Sequence, residues 1–306
     1  MTDRYQEPRY GGVPTFMRLP WSPEEDTLPD VEGAFLGVPW DSDGGYRAGA
    51  RFGPRALRLA SSFLNPYNPV HDVDLRAHRL TDVGDVFTIP GEVTETYDSI
   101  RTRVSSLLDA DVIPVVGGGT HGITLPILRA IENKHGSVSL LHFDAHADLW
   151  NESSRYRQYP AGWCGYAIDE GLIDPATSVR IGDRGNFPSP DAAVRAESGL
   201  RWIGTHELMN QSTADVAAEI RERIEGKVYV TIDLDVFDPA FVPAVSTPSP
   251  AGAFPSDILD LIQDLTNLDI IGMDVVELCP PYESTGCRSA LTAARLLCEL
   301  LGLALS

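Results

Sequence analysis

The sequence predicts an α/β fold: a single domain of three αβα layers with a central, mostly parallel sheet. Three observations predict it. Apolar runs of strand length alternate with helix-period segments from about residue 31 to the end. No linker tract, internal repeat or low-complexity segment divides the chain. Successive strands run out into histidines and carboxylates, so the polar chemistry collects at one edge, where ligands bind in doubly covered parallel sheets.

Residues 1–30, rich in Pro, Gly and charge, lack sustained periodicity and are expected to form an N-terminal arm over the surface or a neighbouring subunit; residues 31–306 form the domain. At 306 residues the chain can bury a substantial core. Its 24 Lys+Arg against 44 Asp+Glu, a formal charge of -20, argue against nucleic acid as a partner. A small cationic substrate suits that balance better, although surface acidity commonly serves solubility alone. Cys164, Cys279, Cys287 and Cys298 form no CxxC pair, which points to a reducing cytoplasm and away from structural zinc. The N-terminus has no apolar h-region and no run approaches a membrane span, so a cytoplasmic protein without a membrane partner is expected.

Taken in order, the first strand is 33–38, followed by a glycine-punctuated loop that starts a helix at Pro54, where a missing N–H does no harm. Arg47 and Arg51 in that loop suit anchoring salt bridges more readily than substrate contact. A helix over 92–108 feeds a strand over 112–116 and then Gly117-Gly118-Gly119-Thr120-His121. These glycines lack the pattern of a P-loop or dinucleotide fingerprint; they bring the backbone close around His121. After a helix over 122–134, the strand 138–141 leads into His142-Phe143-Asp144-Ala145-His146-Ala147-Asp148. A polar, aromatic loop follows over 150–161, then a short helix over 162–171, strands over 179–182 and 200–203, and a helical 188–198 between them. An amphipathic helix over 213–224 precedes the strand 228–232, which runs into Asp233-Leu234-Asp235. A helix over 256–265, a strand over 270–276 ending at Glu277, and a closing helix over 289–301 complete the chain.

Asp144, His146 and Asp148 stand at i, i+2 and i+4, on one side of an extended segment. Oxygen mixed with imidazole nitrogen, without thiolate, is the ligand set of a hydrolytic divalent cation; a capped turn with a satisfied histidine is the alternative reading of this heptapeptide alone. His121, Asp233 and Asp235 reach the same edge from other strands. Two histidines and four carboxylates exceed the needs of one ion and suit two divalent cations bridged by carboxylates. Without metal, four clustered carboxylates would repel one another.

These residues resemble the ureohydrolases, the arginase and agmatinase superfamily, with the agmatinase branch nearest. The likeness runs from Tyr10-Gly11-Gly12 through Ala50-Arg51-Phe52-Gly53-Pro54 to Ala293-Ala294-Arg295, and its ligand signatures match at Gly118-Gly119-Thr120-His121, Asp144-Ala145-His146-Ala147-Asp148 and Asp233-Leu234-Asp235-Val236-Phe237-Asp238-Pro239. The resemblance implies that His121, Asp144, Asp148 and Asp233 hold one metal and Asp144, His146, Asp233 and Asp235 the other. It also implies hydroxide attack on a guanidinium carbon, with Asp148 and Glu277 as catalytic carboxylates and Glu277 pairing with the guanidinium. Mn2+ is the usual family metal and Ni2+ serves some members. A trimer or hexamer is implied, as a homo-oligomer or with a paralogous subunit.

The departures from the family gather around the substrate. Agmatinases carry Asp and Ser where this chain has Thr120 and Gly122. The family's Ser-His-Gly-Thr loop, with its proton-shuttling histidine, aligns with Tyr159-Pro160-Ala161-Gly162, and Pro160 cannot carry a proton. The usual Gly-Thr-Gly-Thr-Pro-Glu-Pro-Gly loop is Ala244-Val245-Ser246-Thr247-Pro248-Ser249-Pro250-Ala251, which makes Thr247 a candidate substrate residue. Trp163 and Tyr166 could offer aromatic faces to a cation, helix packing being the commoner role. The expected substrate is thus a guanidino or biguanide compound other than agmatine, as in the metformin and guanidine hydrolases. An ordinary agmatinase or guanidinobutyrase is the alternative, and a non-catalytic subunit of a hetero-oligomer the alternative of a different class. His206 is expected at the surface or in packing.

Overall fold

Eight parallel strands lie side by side in the order β2-β1-β3-β8-β7-β4-β5-β6 in a computed structural model that describes residues 8–23, 28, 30–44, 46–149, 160–184 and 195–306. The strands are β1 Gly33–Gly37, β2 Leu80–Asp85, β3 Ile113–Gly117, β4 Ser139–Phe143, β5 Val179–Ile181, β6 Arg201–Ile203, β7 Lys227–Asp233 and β8 Asp269–Val276. Helices cover both faces: α1 Gly53–Ser61, α2 Val93–Asp109, α3 Thr124–His135, α4 Trp163–Asp169, α5 Thr213–Arg223, α6 Pro255–Asp264 and α7 Arg288–Ala304. The predicted three-layer α/β architecture is the one observed.

Two apolar clusters occupy the two faces. Along β1, Phe35 joins one cluster while Ala34 and Leu36 join the other, as the two-residue period of a strand dictates. Both faces being dry explains why these strands read as continuous apolar runs. Pro54 stands in the first turn of α1, as its fixed φ and missing N–H favour. No helix among the described residues is long and apolar enough to cross a membrane.

Two placements differ from the sequence reading. β2 was not anticipated, because its apolar pattern is broken by Asp82, which is fully buried. Arg58 makes that possible: its Nε donates to Asp82 Oδ2 at 2.8 Å and its Nη2 to Oδ1 at 3.0 Å, a two-pronged pair that offsets the desolvation of both charges. The second concerns residues 15–19 of the expected arm. Phe16, Met17 and Leu19 are buried, and the Phe16 ring stacks on Phe35 with centroids 4.5 Å apart. The loop expected from 150 lies outside the described residues as far as Tyr159, as does most of the helix expected over 188–198.

Candidate metal centre

Four adjacent strands, β3, β8, β7 and β4, discharge their carboxyl ends toward one another, and each delivers part of the site. After β3 the glycines let the chain pass where side chains have no room: a Cβ on Gly119 would collide with the Trp40 carbonyl oxygen. Gly119 N–H donates to Val38 O at 2.9 Å, which delivers His121 over the sheet edge. At the end of β4, Asp144 N–H still donates to Ile181 O at 2.9 Å. At the end of β7, the Asp233 carboxylate accepts from Asp235 N–H at 2.9 Å and caps a single turn over Leu234–Val236, which swings Asp235 back toward the same point. Glu277 follows β8 with φ +63°, and its N–H donates to Gly119 O at 2.8 Å.

The side chains converge on His121. Its Nδ1 lies 3.1 Å from Asp144 Oδ2, 3.3 Å from Asp148 Oδ2 and 3.2 Å from Asp233 Oδ2. It is fully buried and makes no hydrogen bond. The other ring nitrogen is engaged: Nε2 stands 3.0 Å from Thr231 Oγ1, which itself donates to the buried Asp274 carboxylate at 2.5 Å. Nε2 is thus committed to Thr231, and Nδ1 is the ring nitrogen that faces the carboxylates; against burial, Asp144 and Asp233 raise the imidazole well above its usual value, which marks Nδ1 as a place for positive charge. Donor atoms 3.1–3.3 Å from Nδ1 are as close as ligands that share one small dication, and ligand atoms of His121, His142, Asp144 and Asp148 lie within 4.8 Å of one another. A second group adjoins the first through Asp144. His146 Nδ1 is 2.9 Å from Asp235 Oδ2 and 3.6 Å from Asp144 Oδ1, and Asp235 Oδ2 also makes no hydrogen bond. The residues present thus fit two divalent cations. His121 and Asp144 are sealed from solvent, whereas the His146 side chain is 40% exposed, so the site opens on the His146 side.

Electrostatics points the same way. Burial, then the neighbouring Asp144 carboxylate, pushes Asp148 up to about 7. Burial and the Asp235 and Asp144 charges raise Asp233 well above the carboxylate range, and burial with Asp144 raises Asp235. Only Asp144 is held well below its usual value, where the three histidines and Arg180 outweigh burial. Next to Asp235 the His146 imidazole is pushed up to about 12. A cluster that must borrow protons to exist is one that two dications would neutralise instead.

All six sequence-expected ligands, His121, Asp144, His146, Asp148, Asp233 and Asp235, therefore meet at one place. Glu277 joins them: its Oε1 accepts from His121 N–H at 2.8 Å, and burial pushes it up to about 8. Thr247 is exposed, at 3.3 Å from Ser246 through their hydroxyls. Ser246, buried beside it, was not singled out by sequence reasoning, yet its hydroxyl donates to Glu277 Oε2. Trp163 corrects the expectation of a substrate-facing aromatic: it is 1% exposed, because its indole N–H is drawn inward to Asp148 Oδ2 at 2.8 Å. Tyr166, one turn on, is half-buried against the apolar cluster under α2 and α3. Arg51 pairs with Asp41, the anchoring role expected of it, while Arg47 lies over the Tyr282 ring at 4.8 Å. His206 is exposed. Thr120, standing where agmatinases have Asp, donates to Asp43 Oδ1 at 2.5 Å, so a carboxylate from the loop after β1 reaches this position.

Two further residues were missed. His142 Nε2 is 3.0 Å from Asp144 Oδ2, and the buried Arg180 places Nη1 2.7 Å from His142 Nδ1. Burial and the Arg180 charge hold His142 well below its usual value, so it is a neutral ring that donates to Asp144. A signal existed for both. His142 and Asp144 share a strand face at i and i+2, and Arg180 is a lone charge inside a strand whose register pairs it with His142.

A parallel sheet that gathers two histidines and four carboxylates at adjacent strand ends defines a dinuclear-metal hydrolase. The chain belongs to the Arginase family, whose description matches residues 31–302. It is 36% identical over 297 residues to the guanidinobutyrase of Pseudomonas aeruginosa, covering 96% of this chain and 93% of that one. It is 38% identical over 307 residues to the guanidinopropionase of the same species, covering 98% and 94%. Among solved structures, the proclavaminate amidinohydrolase of Streptomyces clavuligerus superposes with a TM-score of 0.91 at 34% identity, over 97% of this chain and 99% of that one. The protein is accordingly a metal-dependent hydrolase of guanidino compounds, and its family binds a pair of divalent metal ions.

Proposed function

We propose that His121, Asp144, Asp148 and Asp233 hold one divalent cation and Asp144, His146, Asp233 and Asp235 the second, Mn2+ or Ni2+, and that the site cleaves a C–N bond of a small guanidino compound other than agmatine. The observation that carries this reading is the meeting of all six ligands with Glu277 at four adjacent strand ends. Bound there, the two ions supply a water ionised near neutral pH as nucleophile. Glu277 binds the guanidinium, and the Ser246 hydroxyl and His121 N–H fix its carboxylate so that the planar cation is held for attack. Thr247, exposed beside Ser246, meets the distal part of the substrate. Asp148 takes a proton from the attacking water and passes it to the departing nitrogen, the position of the family's loop histidine being Pro160 here.

The names guanidinobutyrase and guanidinopropionase of two relatives support an ordinary guanidino substrate. A biguanide is the second reading; it rests on the less polar composition of the loop 244–251. The family is generally oligomeric, and we extend to this chain an assembly of identical subunits in the cytoplasm. The test is turnover of guanidinobutyrate, guanidinopropionate, guanidine, dimethylguanidine, guanylurea, metformin and agmatine by metal-stripped protein reloaded with Mn2+ or Ni2+, read as released urea, ammonia or amine. Agmatine as the best substrate would overturn the substrate reading, and full turnover by stripped protein the metal reading.

A further inference from the structure

The first turn of α4 holds Asp148 from three directions. Cys164 N–H and Gly165 N–H both donate to the Asp148 carbonyl oxygen, at 3.1 and 3.2 Å, while the Trp163 indole N–H donates to its carboxylate Oδ2 at 2.8 Å. Asp148 itself has φ +50°, a left-handed conformation that a residue with a Cβ seldom adopts without being held. Oδ2 is also the oxygen that faces His121 Nδ1 at 3.3 Å. A carboxylate oxygen has two lone pairs. The indole takes one, and the other is left aimed at the point where His121, Asp144 and Asp233 converge. The Trp163 ring is itself immobilised, packed against His121 at 4.7 Å and His142 at 4.9 Å between ring centroids.

We propose that Trp163 is a positioning residue for the metal centre: its indole N–H fixes the rotamer of Asp148 and thereby sets the affinity of the cation shared by His121 and Asp148. This rests on the metal reading given under Proposed function. It also gives the altered segment after Pro160 a role of its own. The segment that lost a histidine places a tryptophan under the metal ligand.

The proposal separates a hydrogen bond from mere packing. Replacing Trp163 by 3-benzothienylalanine keeps ring size and exchanges only the N–H for sulfur; Trp163→Phe removes the donor with natural chemistry. Trp163→His restores a donor at the equivalent ring position. Metal-stripped full-length protein is titrated with Mn2+ in a calorimeter. The expected result is weakening of one of two sites by about 10–100-fold in the first two variants, recovery in Trp163→His, and an unchanged second site. Two isotherms coincident with the parent protein in the benzothienyl variant would overturn the proposal. A parent that binds neither Mn2+ nor, in a parallel titration, Ni2+ would overturn the metal reading itself, so the two failures are distinct. A readout that needs no variant is hydrogen exchange of the Trp163 indole: slow exchange is expected, and free exchange contradicts the bond.

Discussion

Glu277→Gln removes the negative charge that Glu277 carries when paired with a cation, while leaving the local hydrogen bonds available. The amide oxygen of the substituted side chain can accept from His121 N–H as Oε1 does at 2.8 Å, and its NH2 can donate to Ser246 Oγ once that hydroxyl turns to accept. The fold and the metal ligands are therefore expected to persist. The substrate loses more. Hydrogen bonds to a charged group contribute about 1 kcal/mol more than neutral ones, so two bonds from a guanidinium forfeit about 2 kcal/mol. A buried cation left without its countercharge raises the cost toward about 5 kcal/mol. At about 1.36 kcal/mol per factor of ten, kcat/KM should fall between about 30-fold and several thousand-fold. The assay is initial rate against concentration for the best substrate of the panel, with bound metal counted by mass spectrometry in the same samples. A kcat/KM within threefold of the parent at two ions per chain would refute the assignment of Glu277 to the guanidinium.

Ser246→Ala removes the hydroxyl that fixes Glu277 Oε2, a charge-assisted bond of about 1.5–3 kcal/mol partly replaced by water, and should lower kcat/KM about tenfold without altering metal content. Gly119→Ala brings a Cβ against the Trp40 carbonyl oxygen; a loss of about 3 kcal/mol or more in denaturant unfolding is expected, together with impaired metal binding at His121, and normal stability would show that the loop can move. Adding Mn2+ to stripped protein at about 100 times its dissociation constant should stabilise the fold by about 2.7 kcal/mol per ion. With an unfolding entropy of about 2.1 cal/mol/K per residue over 306 residues, two ions raise Tm by about 8 °C, and a rise of half that points to a single site.

The central strands were readable because both faces of the sheet are buried: β4, β7 and β8 appear as short apolar runs with nothing polar inside the observed ladder except paired groups such as Asp274. β2 was not, since the apolar pattern breaks at Asp82 and the partner that makes that charge tolerable, Arg58, lies 24 residues away on α1. The same distinction holds within the site. Candidate ligands at strand ends follow from strand order alone, and His121, Asp144, His146, Asp148, Asp233 and Asp235 could be proposed one strand at a time. Residues that act through a partner could not. Ser246, Arg180 and the indole of Trp163 acquire their meaning only when Glu277, His142 and Asp148 are brought beside them.

By itself the sequence determined the alternation of strands and helices, the edge at which chemistry collects and the chemical type of the ligands, because each depends on local periodicity and residue identity. Tertiary structure decided which carboxylate oxygens face the centre, which ring nitrogen of His121 faces the carboxylates, and that Trp163 faces inward to Asp148 while His146 stands at the open side. Those outcomes depend on the relative placement of groups far apart in the chain. No local pattern encodes them, since they arise only when β3, β8, β7 and β4 pack in that order.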